Sequence, residues 1–255
     1  MKTDKLKKLL LFFAIAFSSV VVSQAYAVAE FVCKTDVNTE YYEPILNKVS
    51  QASARIKSLK ADFVQESYLL GLDKIENSSG KVLFQKTAKM RWDYQAPEKQ
   101  LFVMDGKSVW YYQPSQNQVM LSDLNASFKS SVPVSFLLGL GTLTDTFILQ
   151  NACHTQIGIL LNLTLKESDD SLDKFYLLVR QKDYTPLGAK IVDLGGNETS
   201  IVFKNLVLNQ SIKAAEFSFV PPQGLDIIDN RNPVALPSRN NQLQRQPQLL
   251  EEDIL

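Results

Sequence analysis

Residues 79–112 read SGKVLFQKTAKMRWDYQAPEKQLFVMDGKSVWYY, and this stretch decides the fold class. Met90, Trp92 and Tyr94 alternate with Lys89, Arg91 and Asp93. A period of two predicts a strand with one buried and one wet face. Ala96-Pro97-Glu98 breaks the run, and Leu101 to Met104 is the next strand. Asp105-Gly106 then stands between two apolar runs and predicts a type I′ hairpin turn, which needs positive φ at both central residues. Lys107 to Tyr112 returns along the partner. The stretch is an antiparallel meander carrying several large side chains.

The same rhythm continues on both sides. Ala61 to Tyr68 and Lys81 to Gln85 come before, with Gly71 and Asn77-Ser78-Ser79-Gly80 as turn signals. Gln118 to Leu121 comes after the turn Pro114-Ser115-Gln116-Asn117. Strands resume with Phe147 to Ala152, Ile159 to Leu165, Phe175 to Arg180, Gly188 to Leu194 and Thr199 to Leu208. Phe217-Ser218-Phe219 is a last short strand, ended by Pro221-Pro222. About eleven strands at such regular spacing exclude an α/β fold and predict a mainly β domain.

One helix stands out upstream. Pro44 suits a first helical turn, with Asn38 or Thr39 capping nearby. Ile45, Val49, Ala52, Ile56 and Leu59 follow as one apolar stripe, with Lys48, Gln51, Arg55 and Lys57 off it. The stripe covers the sheet, either as fixed core packing or as a movable lid; periodicity does not separate the two. Ser122 to Asp145 interrupts the strands, and Pro133 to Leu138 within it reads as a short helix folded over the sheet.

The ends differ in kind from the middle. Lys2, Lys5, Lys7 and Lys8, the apolar run Leu9 to Val22 and Ala25-Tyr26-Ala27 have the layout of a secretory signal peptide covering residues 1–27; a retained anchor is the other reading. The chain has 27 basic and 27 acidic residues. Removing four Lys and one Asp with residues 1–27 leaves 23 against 26, a formal charge of −3 that gives no support to nucleic-acid binding. Residues 28–228 read as a single domain, and 229–255, rich in Asn, Gln and Pro, as a disordered or partner-bound tail. Cys33 and Cys153 are the only cysteines. Export and an even count favour a disulfide, with two separate buried thiols as the alternative.

Chemistry-bearing motifs are absent. His154 is the only histidine, so no histidine-centred metal cluster is available. No Gly-x-Ser-x-Gly elbow occurs. Gly106-Lys107-Ser108 lacks the earlier glycine of a phosphate loop, because that position is Leu101. Asp169-Asp170-Asp173 reads as a solvated hairpin rather than a calcium loop. These absences favour a binding protein without metal or cofactor over a hydrolase with an unusual site.

Four fragments, in order, resemble the LolA family, the periplasmic carriers of outer-membrane lipoproteins. They are Phe63-x-Gln65 after an amphipathic helix; Ser79-Gly80 leading to Arg91-Trp92-x-Tyr94-x-x-Pro97; Asp105-Gly106-Lys107-x-x-Trp110-x-Tyr112-x-Pro114-x-x-x-Gln118; and Phe217-x-Phe219-x-Pro221-Pro222-Gln223-Gly224. The resemblance spans about residues 41–228. It implies an unclosed antiparallel β-barrel of about eleven strands (α+β), whose apolar inner face is covered by lid helices. It implies a monomeric carrier of acylated lipoproteins, loaded by an inner-membrane lipoprotein-releasing ABC complex and unloaded onto an outer-membrane lipoprotein receptor. A related periplasmic lipid-binding or envelope-stress-sensing protein is the alternative.

Carried onto this sequence, the cavity would be lined by Phe63, Met90, Trp92, Val103, Phe136 and Leu137. Each is otherwise an ordinary core residue, and only family position favours the cavity for Trp92. One departure stands out. The family's lid-holding arginine and the proline after it become Lys86-Thr87 here. A compact ammonium lacks the planar fork of donors, so the resemblance implies a lid tether at Lys86 that is weaker or differently built.

Overall fold

The computed structural model describes residues 28–86, 88–124, 143–167 and 172–231. Among them, thirteen strands make one sheet. They are β1 (Thr35–Asp36), β2 (Ser58–Leu69), β3 (Lys74–Gln85), β4 (Lys89–Ala96), β5 (Gln100–Asp105), β6 (Ser108–Gln113), β7 (Gln118–Asp123), β8 (Phe147–His154), β9 (Ile159–Leu165), β10 (Lys174–Val179), β11 (Pro186–Val192), β12 (Glu198–Leu208) and β13 (Asp226–Asp229). Their order in space is β1-β8-β9-β10-β11-β12-β2-β3-β4-β5-β6-β7-β13, so the sheet is unclosed, with β1 and β13 at its edges. All neighbours are antiparallel except β13, which runs parallel to β7. A 14-residue helix, α1 (Tyr42–Arg55), a single helical turn, α2 (Leu143–Thr146), and short 3-10 turns accompany the sheet among the described residues.

Eleven of these strands, β2 to β12, are the ones the sequence pattern marks. Four local expectations need correction. Phe217-Ser218-Phe219 is not a strand: Ala214–Phe217 is a 3-10 turn lying across the sheet, with Phe217 buried. Asn77-Ser78-Ser79-Gly80 is not a turn but the middle of β3, because β2 and β3 pair continuously from Ser58↔Gln85 to Leu69↔Lys74. A full ladder of backbone hydrogen bonds outweighs the local turn preference of Asn and Ser. The β2–β3 reversal sits at Leu70–Asp73, where Asp73 takes the left-handed conformation. The Asp105-Gly106 hairpin exists, but only Gly106 has positive φ. The turn is instead held by Asp105 Oδ1, which accepts from the Lys107 and Ser108 amides at 2.8 Å each. Finally, Leu59 is not on the helix stripe. Ile56 leaves α1 in extended geometry, and Leu59 belongs to β2.

Residues paired across strands share a face of the sheet, so the registers sort the side chains. The inner face, which α1 covers in part, carries two apolar clusters. Ile45 and Val49 of α1 pack with Leu143, Phe147, Leu161, Leu163, Phe175, Leu177 and Val179 over β8–β10. Ile56 packs with Leu59, Phe63, Val82, Phe84, Met90 and Met104 over β2–β5, with Trp92, Tyr94, Phe102 and Phe203 partly buried around them.

The outer face is held by two straps. Phe31 packs on Cys153, Leu160 and Leu178, and Cys33 is disulfide-bonded to Cys153 with Cα atoms 5.5 Å apart. Glu30 pairs with Lys204 at 2.8 Å. Farther along, Phe219 lies against the rings of Trp110 and Tyr112, with centroids 5.7 and 5.5 Å away. Ordered structure runs past the expected start of the tail. β13 reaches Asp229, the Asn230 amide donates to the Leu121 carbonyl at 2.7 Å, and Arg231 pairs with Asp229. The expected signal peptide, the helix at 133–138 and the tail from 232 on lie outside the described residues.

Candidate functional site: an apolar cleft beside the end of the helix

Helix α1 ends at Arg55, over the boundary between the two inner-face clusters. Past that end a cleft opens. It is lined by Ser53 and Ile56, by Leu59 of β2, Val82 and Phe84 of β3, Lys86, Met90 and Trp92 of β4, Pro186 of β11 and Phe203 of β12. Its free volume in the empty protein is about 50 Å³. Strand period two explains the lining. Leu59, Val82, Phe84, Met90, Trp92 and Phe203 all fall on the inner face by register.

The wall is aromatic. Phe63 meets Trp92 edge-on at 4.7 Å and Tyr94 at 4.9 Å between ring centroids. Trp92 also lies 6.4 Å from Tyr94 and 6.2 Å from Phe203. Gly80 makes this packing possible. A Cβ there would collide with the Asp93 carbonyl and lie 2.9 Å from the Phe63 ring. Gly80 pairs with Phe63 on one side and Tyr94 on the other, so the two rings meet across it. The Trp92 indole N–H donates to Met90 Sδ. The Tyr94 hydroxyl donates to Gln65 Oε1 at 3.0 Å, and burial pushes the Tyr94 phenol up to about 12.

Lys86 closes one side. Its ammonium donates to the carbonyl of Ala54 in the last turn of α1, and its amide donates to the Lys57 carbonyl at 2.9 Å. The last carbonyls of a helix have no partner within it, and a cation there also complements the helix dipole. Next to this contact, Ser53 Oγ is buried without a hydrogen-bond partner among the described residues.

Of the sequence-derived cavity residues, Met90, Trp92 and Lys86 meet in the cleft. Phe63 stands behind the wall, fully buried under Trp92 and Tyr94. Val103 requires a correction. It pairs with Arg91 and Trp110, so it lies on the outer face, opposite Trp92. Its apolar character reflects the strap at 214–219, which covers that face: the Arg91 guanidinium donates to the Glu216 carbonyl there at 3.4 Å. Phe136 and Leu137 lie outside the described residues. The lining residues not anticipated are Ser53, Ile56, Leu59, Val82, Phe84, Pro186 and Phe203. Alternation with Phe63 marks Leu59, and pairing opposite Trp92 and Met90 marks Val82 and Phe84; nothing local marks Pro186. No group of three metal-ligating side chains occurs among the described residues.

A family model described as outer membrane lipoprotein carrier protein LolA matches residues 54–220. An outer-membrane lipoprotein carrier protein of Dechloromonas aromatica is 30% identical over 172 residues, covering 68% of this chain and 81% of that protein. One from Azotobacter vinelandii is 31% identical over 189 residues, covering 73% and 88%. The crystal structure of a LolA superfamily protein from Nitrosomonas europaea overlays with a TM-score of 0.40 at 14% identity, covering 70% of this chain and 97% of that one. The chain belongs to the LolA family of outer membrane lipoprotein carrier proteins, which are carriers and not enzymes. Cys33 and β13 lie outside the matched residues.

Proposed function

We propose that this chain works in the periplasm as a monomeric carrier whose cleft holds the acyl chains of lipoproteins. It takes them from an inner-membrane lipoprotein-releasing ABC complex and gives them to an outer-membrane lipoprotein receptor. The observation that carries the reading is the cleft itself: an apolar, aromatic-walled space beside a helix end held by the Lys86 ammonium. Each methylene brought from water into such a wall is favoured by about 0.8 kcal/mol, so an acyl chain gains several kcal/mol even from partial cover.

Release without an energy source of its own requires that the cover come off easily. A hydrogen bond from a solvent-facing ammonium to one carbonyl is worth about 1 kcal/mol or less once screening is allowed for. Lys86 is therefore the lid tether in this reading. It closes the cleft in the empty carrier and yields when cargo pushes α1 outward.

The test is to mix the purified chain without residues 1–27 with spheroplasts and assay the supernatant. A lipoprotein leaving the cells in a soluble one-to-one complex supports the reading. Folded protein that releases none sinks it.

A further inference from the structure

A short chain of hydrogen-bonding groups continues the inner face beyond the aromatic wall. The Tyr94 hydroxyl donates to Gln65 Oε1 at 3.0 Å. Gln65 Nε2 donates to Ser67 Oγ at 3.1 Å, and Ser67 Oγ lies 3.4 Å from Thr199 Oγ1. Gln65, Ser67 and Thr199 are half-buried, so they are not sealed in core. Register places them together: Ser67 pairs with Thr199, and Gln65 pairs with Ile201 on the face that carries Phe203 and Phe63.

This ledge has unused capacity. The Gln65 amide has two N–H donors and spends one on Ser67, and at least one hydroxyl of the Ser67–Thr199 pair has a free donor or acceptor direction. Its position matches an acyl chain. Along β2, Leu59 at the closed end of the cleft and Gln65 at the ledge are six residues apart, roughly 20 Å. Phe63, which pairs with the cleft residue Phe203, is four residues from Leu59, roughly 13 Å. An acyl chain fills about half of a bilayer's hydrocarbon thickness, roughly 15 Å. A chain whose methyl end lies at Leu59 and Lys86 therefore brings its carbonyl between Tyr94 and Gln65.

Resting on the acyl-chain reading of the cleft, we propose that Tyr94, Gln65, Ser67 and Thr199 form a polar subsite for the ester and amide carbonyls that join acyl chains to the cargo. Gln65 Nε2 is the principal donor, and Thr199 Oγ1 is the second. The ledge lets the carrier tell an acylated polypeptide from plain hydrocarbon. The cargo polypeptide leaves the protein on the β2–β3 hairpin side.

The test compares two synthetic probes with the same peptide and chain lengths: a lipopeptide with acyl chains on a diacylglyceryl cysteine, and its dialkyl ether analogue without ester carbonyls. Dissociation constants are measured for wild type, Gln65→Leu and Thr199→Val, with unfolding curves to verify the fold of each. The ester probe loses about three- to tenfold in affinity for Gln65→Leu, the size of one neutral hydrogen bond, and less for Thr199→Val; the ether probe does not change. Equal losses on both probes, or no loss on either, overturn the subsite while leaving the cleft reading intact. Wild-type protein that binds neither probe overturns both readings at once.

Discussion

The inner face of the sheet has two halves built from the same alternating pattern, and they are finished differently. Over β8–β10, α1 lays Ile45 and Val49 onto Phe147, Leu161, Leu163, Phe175 and Leu177, all of which are sealed from solvent. Phe147 and Phe175 sit 5.1 Å apart, centroid to centroid. Over β2–β5, Phe63 and Met104 are equally buried, but the layer above them, Trp92, Tyr94 and Phe102, is only half covered. The first half is a filled core. The second stops one side-chain layer short of filling and leaves a cleft. Close-packed interiors hold no ligand, so on the proposed function the first half serves stability and the second serves cargo. Truncating a side chain in each half tests the contrast.

The largest expected effect is Phe175→Ala, which removes a fully buried ring from the filled half. It should lower stability by about 3–5 kcal/mol, read as a drop in the urea midpoint, and should leave acyl-probe affinity unchanged in the fraction still folded. Trp92→Ala should do the reverse. Its ring is part cleft wall, so the stability loss should stay below about 2 kcal/mol, while probe affinity falls on the order of tenfold or more. If both variants lose stability and affinity in the same proportion, the division of the face into core and container fails.

Next in size is the disulfide. Cys33–Cys153 closes a separation of 120 residues and pins the N-terminal strap behind the filled half. Reduction should cost roughly 2–5 kcal/mol, much of it through the freed unfolded chain. Cys153 faces away from the cleft, so probe affinity should hold. Equal melting temperatures with and without reductant would count against this account.

How much of this is legible in the sequence depends on the range of the signal. Strands β2 to β12 are legible because alternation and turn residues are local. So is the Met90-Trp92 wall, since period two puts both on one face. Val103 is misassigned from sequence because an apolar residue in a strand reads as inner whenever the outer face is assumed wet. Here the strap at 214–219 makes part of the outer face apolar too, and only register reveals that. β13 escapes the pattern because four residues pairing in parallel with a strand more than a hundred positions earlier carry no local mark. Pro186 lies in β11, between its sequence neighbours β10 and β12, and reaches the cleft only because β12 brings β11 near β2 in space.

A smaller effect is expected where the two halves meet. Lys86→Met removes the donor to the Ala54 carbonyl and should cost about 1 kcal/mol or less. Its signature is local. Amide exchange in the last turn of α1 should quicken by a few-fold, while amides of β9 and β10 keep their protection. Lys86→Arg, which still donates, should exchange like wild type. Equal exchange in all three proteins would remove Lys86 from any role in holding the helix.

The smallest effect at neutral pH belongs to Tyr94, and it grows with alkalinity. Tyr94→Phe keeps the ring against Phe63 and loses one hydrogen bond to Gln65, worth about 1 kcal/mol. Burial raises the phenol to about 12 in the folded protein, against an ordinary value near 10. Below pH 10 the phenol is neutral in both states, and its contribution to stability is complete. Between about 10 and 12 the unfolded chain can give up this proton and the folded one resists, so the folded state loses ground as pH rises. The Tyr94→Phe variant has no proton to lose at this position. Urea unfolding at pH 8 and near pH 11.5 should therefore show wild type ahead at the lower pH and the gap narrowing or reversing at the higher. Tyrosines other than Tyr111, whose charge also acts on Tyr94, shift both proteins alike and cancel in the difference. A gap that stays constant across that range would mean the Tyr94 hydroxyl meets water as freely as in the unfolded chain, and the cleft wall would then be more open than its half of the face implies.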